Sequence, residues 1–156
     1  MLILDADGLI KLNRAGVLSL LASRYESAIP SAVHQEAVVN AQGRHPDADA
    51  IGLIIELSIN IVDVQVPDHV PSHIGLGERE VLALAQPTDT IISDDAEFLR
   101  VCLVQSTPFL TPADMILTMV DQVTLSLDQG KSAIGLLKPW INPGVYQRAI
   151  DILERS

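Results

Sequence analysis

The side chains in this chain best suited to chemistry are carboxylates. Twenty of its 156 residues are Asp or Glu, and such residues ordinarily lie on solvated surfaces, yet four stand where a surface role does not account for them. Asp5 closes the apolar run LILD, and Asp95 follows TIIS by two positions. Both therefore fall at or just past the carboxyl ends of buried strands, the edge where open α/β sheets place their ligand crevice. Glu78 precedes Val81, Leu82 and Ala85 by three, four and seven residues, so it extends an apolar helical stripe toward its N-terminus and turns inward. Glu36 follows Val33 by three residues and precedes Asn40 by four, on a segment whose Val33 and Ala37 face a core.

Carboxylates that converge must be neutralised, because two unit charges 4 Å apart repel by about 4 kcal/mol at an effective dielectric near 20. A set of Asp and Glu without His or Cys suits Mg²⁺ or Mn²⁺, which prefer oxygen ligands, keep several waters and share substrate phosphates. Other chemistries find less support. His69 and His73 are four apart, but Pro71 between them breaks a helix and no third His or Cys pair completes a tetrahedral zinc set. Gly75 to Gly77 lack the G-x-G-x-x-G spacing of a nucleotide loop, and no G-x-S-x-G elbow occurs. Cys102, in the apolar run FLRVCLV, reads as a small buried hydrophobe, and Trp140, between Pro139 and Pro143, as a packing anchor.

The elements that must position the acids are legible as alternating strands and helices. LILD is a strand, and GLIKLNRAGVLSLLASRY a pair of helices divided at Gly16. ESAIP is a second strand, after which Ser31 is expected to N-cap the helix SAVHQEAVVNAQ. A helix follows over 47–58, then the strand-like INIVDVQV, a proline- and glycine-rich loop, and the helix EREVLALA. TDTIIS is a strand, DAEFLRVCLV a helix and TPFLT a last short strand before the helix PADMILTMVDQ, with Pro112 in its first turn. Such alternation predicts a parallel sheet with helices on both faces. Beyond Ser126 the pattern weakens into the turn KPWINPG and a terminal helix VYQRAIDILE.

Composition bounds the rest. The length suits one domain with a real core, and with 48% apolar residues but only five aromatics that core must be Leu, Ile, Val and Ala. A lone cysteine, the absence of a basic leader and the lack of any membrane-length apolar run predict a soluble, cytoplasmic protein. The net charge of −10 disfavours a general phosphate-binding surface. Any contact with nucleic acid must then be local, with metal ions inverting the sign of an acidic pocket; Arg79 and Arg100, beside the acid segments, are read either as phosphate contacts or as solvated surface arginines.

These segments resemble a known family. LILDADGLI resembles the opening of PIN domains, in which an Asp ends the first strand and a small polar residue follows two positions later. IPSAVHQEAV is similar to the segment that carries the family's Glu, GLGEREVLALA to the helix that begins with its third acid, IISDDAEF to the strand end that carries its fourth, and TPADMI to the final strand-to-helix step. Their order and spacing over residues 1 to about 120 make the combination specific. The resemblance implies a three-layer α/β/α fold with a central, mainly parallel sheet of four to five strands. The chain reads as one such domain over 1–156, with 126–156 as a C-terminal helical extension.

The resemblance further implies Asp5, Glu36, Glu78 and Asp95 as catalytic, metal-binding acids for Mg²⁺ or Mn²⁺, with Asp94 competing for the last place. Ser93 stands for a small hydroxyl residue often found there. Asp7 replaces a more usual Ser or Asn and adds charge, and Glu78 replaces a frequent Asp and lengthens one ligand arm. The implied activity is hydrolysis of single-stranded RNA by a metal-dependent endoribonuclease. Small PIN proteins of this size resemble the toxins of type II toxin–antitoxin pairs, which dimerise with themselves and are silenced by a cognate antitoxin. The rival reading is a catalytically inactive PIN-fold module that binds a protein partner, with −10 suiting a basic one.

Overall fold

A computed structural model describes all 156 residues. Five short strands, β1 (Leu2–Leu4), β2 (Ser27–Pro30), β3 (Asn60–Val62), β4 (Thr90–Ile92) and β5 (Phe109–Leu110), form one sheet in the order β3-β2-β1-β4-β5. Every pairing is parallel. The middle strands are covered on both faces, which is why Ile3, Leu4, Ala28, Ile29, Ile91 and Ile92 are buried without polar alternation. The chain winds outward from β1 in both directions, so the topological switch point lies between β1 and β4.

Nine helices complete a three-layer α/β/α arrangement: α1 (Ala6–Arg14), α2 (Leu18–Arg24), α3 (Ser31–His34), α4 (Asp47–Ser58), α5 (Leu76–Leu84), α6 (Ala96–Val104), α7 (Pro112–Asp121), α8 (Leu127–Leu137) and α9 (Pro143–Glu154). Gly16, at φ +75°, makes the turn between α1 and α2 where the sequence predicts a break. A connected cluster of 36 buried residues forms the core, with Phe98 its only aromatic. Ala133, Ile134, Leu137, Ala149 and Leu153 of α8 and α9 belong to that cluster. No helix is long and apolar enough to cross a membrane.

Three local expectations are corrected. Ser31 does not cap a helix but begins one after Pro30, and its hydroxyl donates to the Asp63 carboxylate and to the Val62 carbonyl (3.4 Å). Its helix is also not regular: α3 widens into a π-helical stretch over Gln35–Val39, which carries Glu36, and such bulges occur frequently at functional sites. INIVDVQV pairs only over Asn60–Val62, because β2 ends at Pro30, opposite Val62, and then turns into helix. In the weakly patterned tail, α8 carries the signals of a helix, a Ser126–Gln129 capping box and a buried spacing of Gly130, Ala133, Ile134 and Leu137.

The close approach of α1 to β4 generates a prediction. A Cβ on Gly8 would lie 2.5 Å from the Ile92 carbonyl oxygen, a backbone atom that cannot swing aside. Gly8→Ala should therefore cost about 1–3 kcal/mol, lowering Tm by about 2–4 °C for each kcal/mol in a domain of this size. Gly135→Ala, at an exposed helical position with nothing within 4 Å, should instead gain about 0.5–1 kcal/mol. Thermal melts of the two variants, read by circular dichroism, should move in opposite directions.

Candidate active site

The site begins with the register of two strands. Leu4 lies opposite Ile92, so the residues that follow them, Asp5 and Ser93, emerge side by side, and the Asp5 N–H donates to the Ile92 carbonyl at 3.3 Å. Asp5 is the N-cap of α1, its Oδ1 accepting the Gly8 N–H at 2.7 Å. Its Oδ2 accepts the Ser93 hydroxyl. The same hydroxyl oxygen accepts the Asp95 N–H at 3.2 Å, joining the two strand ends through one side chain. Asp5 is 3% exposed and Ser93 fully buried. Burial pushes the Asp5 carboxyl up to about 7 against the lowering influence of Ser93 and Gly8, and the charges of Asp7 and Glu78 add to the rise.

Asp95 caps α6 by accepting the Phe98 N–H at 2.9 Å through Oδ1 and is otherwise exposed. Glu78 stands in the first turn of α5, which begins at Leu76, two residues earlier than the sequence pattern suggested. Its Oε2 accepts the Gly75 N–H at 3.1 Å. Burial foremost, then the charges of Asp95, Glu36 and Glu97, raise the Glu78 carboxyl above its ordinary value, opposed by the Gly75 N–H. Glu36 accepts no hydrogen bond, and its Oε2 approaches within 3.1 Å of where a Cβ on Gly77 would stand. A side chain at Gly77 would displace it.

Asp5, Glu36, Glu78 and Asp95, drawn from four separate elements, thus line one cavity of about 490 Å³ together with Asp7, Asp94 and Lys11. Lys11 is the participant that the sequence reading overlooked, although its i,i+4 spacing from Asp7 was visible. Its ammonium lies 2.6 Å from Asp94 and 3.4 Å from Asp7. Burial lowers its pKa, but the two carboxylates outweigh that and raise it overall. Asp94 is consequently engaged by a cation of the protein itself, whereas Asp95 keeps one oxygen without a partner.

The donor set is entirely oxygen, which fits Mg²⁺ or Mn²⁺. No three His, Cys, Asp or Glu side chains are drawn tightly enough to hold an ion unaided. A cation here would therefore keep waters and share substrate oxygens, as Mg²⁺ characteristically does. Ser93 lies behind Asp5 rather than on the cavity wall. Arg79 and Arg100 do not line the cavity; Arg100 borders a separate hollow with His73 and Glu97. His69 and His73 are exposed loop residues. Cys102 is buried, with burial first and the Asp5 charge second pushing its thiol up to about 12, so it offers no thiolate nucleophile.

A family model for the PIN domain matches residues 1–154. The chain belongs to the PIN-domain family, whose members are in general nucleases that use divalent metals. No curated protein and no solved structure gives a match.

The protonation of Asp5 makes stability depend on pH. Its folded pKa lies above its unfolded one, so the folded state holds the proton more tightly. Stability is then complete below about 4 and falls as pH rises toward 7. Asp5→Asn removes the penalty, at most about 4 kcal/mol at about 1.4 kcal/mol per unit. In metal-free protein at pH 8 we expect a gain of about 2 kcal/mol, or roughly 4–8 °C in Tm, shrinking as pH approaches 4. A gain that ignores pH would contradict the assignment.

Proposed function

We propose that this protein is a metal-dependent endoribonuclease that hydrolyses phosphodiester bonds of single-stranded RNA. The observation that carries the reading is the cavity of about 490 Å³ into which Asp5, Asp7, Glu36, Glu78, Asp94 and Asp95 open at the carboxyl edge of the sheet. Asp5 and Asp95 are assigned as the central ligands of Mg²⁺ or Mn²⁺, and Glu36 and Glu78 complete the set. When bound, the ion supplies Lewis acidity and positive charge beside the scissile phosphate.

The remaining work falls to the protein's own groups. Ser93 holds Asp5 and the Asp95 backbone in a fixed relation. Lys11, shared between Asp94 and Asp7, offsets part of their charge and lowers the repulsion that an incoming phosphate meets. Glu36, whose carboxylate accepts no hydrogen bond, orients the attacking water and can take its proton. The water oxygen bonds to phosphorus as the bond from phosphorus to the leaving ribose oxygen breaks, and that oxygen takes a proton from solvent and departs as a hydroxyl. The biological setting that accompanies this reading is that of a cytoplasmic toxin, dimeric with itself and restrained by a cognate antitoxin.

One observation favours a second reading. Lys11 already places a cation in the cavity, so part of its negative charge is offset without metal, as suits an inactive PIN-fold module that binds a protein partner. The two readings separate on metal. For a nuclease, Mn²⁺ at a hundredfold excess over its Kd should stabilise the fold by about 2.7 kcal/mol. Unstructured RNA should be cut in Mn²⁺ and left intact in EDTA. Glu36→Gln should reduce kcat/KM by roughly 100-fold or more without lowering the metal-free Tm. Cleavage that survives EDTA or the Glu36 change would reject the assignment, and no Tm shift with no cleavage favours the module.

A further inference from the structure

A second, smaller hollow of about 270 Å³ opens off the acid cavity and shares Ala6, Asp7 and Glu36 with it. It runs along one face of α1 to Arg14, with His45 and Asp47 on the opposite wall. Asp7 and Arg14 are seven residues apart on that helix, hence on the same face and separated by about 10 Å along its axis. A nucleotide or two of extended strand covers such a distance.

Arg14 is held in a manner that leaves its working edge open. Its Nε donates to Asp47 Oδ2 at 3.2 Å, while Asn13 donates to the other Asp47 oxygen at 2.8 Å. Its guanidinium carbon lies 3.9 Å from the centre of the Trp140 ring, which stacks against it. No hydrogen bond engages either Nη group, and the side chain retains 26% exposure. A planar fork fixed from behind and across its face, with its outer N–H groups free, matches the bidentate geometry by which arginine takes a phosphate. An arginine serving only to tie α1 to α4 would have no need of the stacking ring. Asp47 offsets its charge, so what Arg14 presents to a phosphate is its pair of outward N–H groups rather than a net positive patch.

We propose that Arg14 is a positioning residue that binds a backbone phosphate of the RNA just outside the acid cavity, with Trp140 holding its guanidinium in place. The assignment rests on the nuclease reading above and adds to it the path of the strand, from the acids along α1 toward the turn between α8 and α9. Trp140 is the only tryptophan in the chain, so its fluorescence reports directly on this contact.

Steady-state cleavage of a short unstructured RNA in Mn²⁺, over a range of salt, tests the inference. Arg14→Gln should raise KM roughly tenfold with kcat within about twofold, and lessen the slope of log KM on log salt by about 0.7, the value for one phosphate contact to a single strand. Arg14→Lys, which keeps the charge and the Asp47 pair but loses the fork, should restore the slope and only part of the KM. Trp140 emission, titrated with RNA in Ca²⁺, should respond in the wild type and need about ten times more RNA in Arg14→Gln. If Arg14→Gln is folded by circular dichroism yet keeps the wild-type KM and slope, or loses only Tm, Arg14 is a structural strut and the proposal is overturned. Should Arg14→Gln not fold, an unchanged KM in Arg14→Lys overturns it equally. A wild type that neither binds nor cuts RNA would instead remove the nuclease reading, and this inference with it.

Discussion

A single buried carboxylate organises this molecule. Asp5 leaves the central strand at the switch point of the sheet, almost wholly buried, and its charge is met within the protein only by the Gly8 N–H and the Ser93 hydroxyl. Much of the surrounding construction follows from those two contacts. The bond to Gly8 starts α1 immediately after β1, and that helix can come so close to β4 only because Gly8 carries no side chain. The bond to Ser93 ties β1 to β4 beyond their paired residues, and the same hydroxyl receives the Asp95 N–H. The geometry of the acid edge is thus set by backbone register and by one serine.

Charge is the constraint that this geometry creates. Six carboxylates share the cavity with one ammonium, and Lys11, shared between Asp94 and Asp7, offsets one of those charges. What remains is an uncompensated set, and in Asp5 and Glu78 burial first, with the neighbouring charges adding to it, raises the carboxyl pKa. Holding like charges together in a low-dielectric pocket is unfavourable, so the arrangement lowers the stability of the metal-free protein and correspondingly favours an added cation. Under the proposed nuclease reading, the same logic lets an acidic chain meet a polyanion through a few placed cations rather than through a basic face.

Several of these features were readable residue by residue. The alternation of apolar runs and helical stripes carried the α/β architecture, and Gly16 marked the turn between α1 and α2. Where reading failed, the cause was local competition that a periodic pattern does not register. Ser31 has the chemistry of an N-cap, but Asp63 claims its hydroxyl from another segment. INIVDVQV has the composition of a long strand, but its neighbour ends at Pro30. The helix carrying Glu36 widens into a π-turn that no spacing rule anticipates. Lys11 drew no notice in the sequence, since its i,i+4 relation to Asp7 gives no hint of Asp94, 83 residues away.

What the amino-acid sequence alone determined is the identity of the elements and the kind of atom each brings to the edge of the sheet, because periodicity, caps and strand ends are properties of neighbouring residues. That order also sufficed to indicate an oxygen-donor set. Only the tertiary structure decided which oxygens stay open. Asp94 is taken by Lys11, Asp95 caps α6 with one atom and keeps the other free, and Glu36 reaches the cavity through the space that Gly77 leaves. Those outcomes depend on distances between residues far apart in the chain, fixed by the parallel register of β1 with β4 and by packing across the sheet, and no local pattern encodes them.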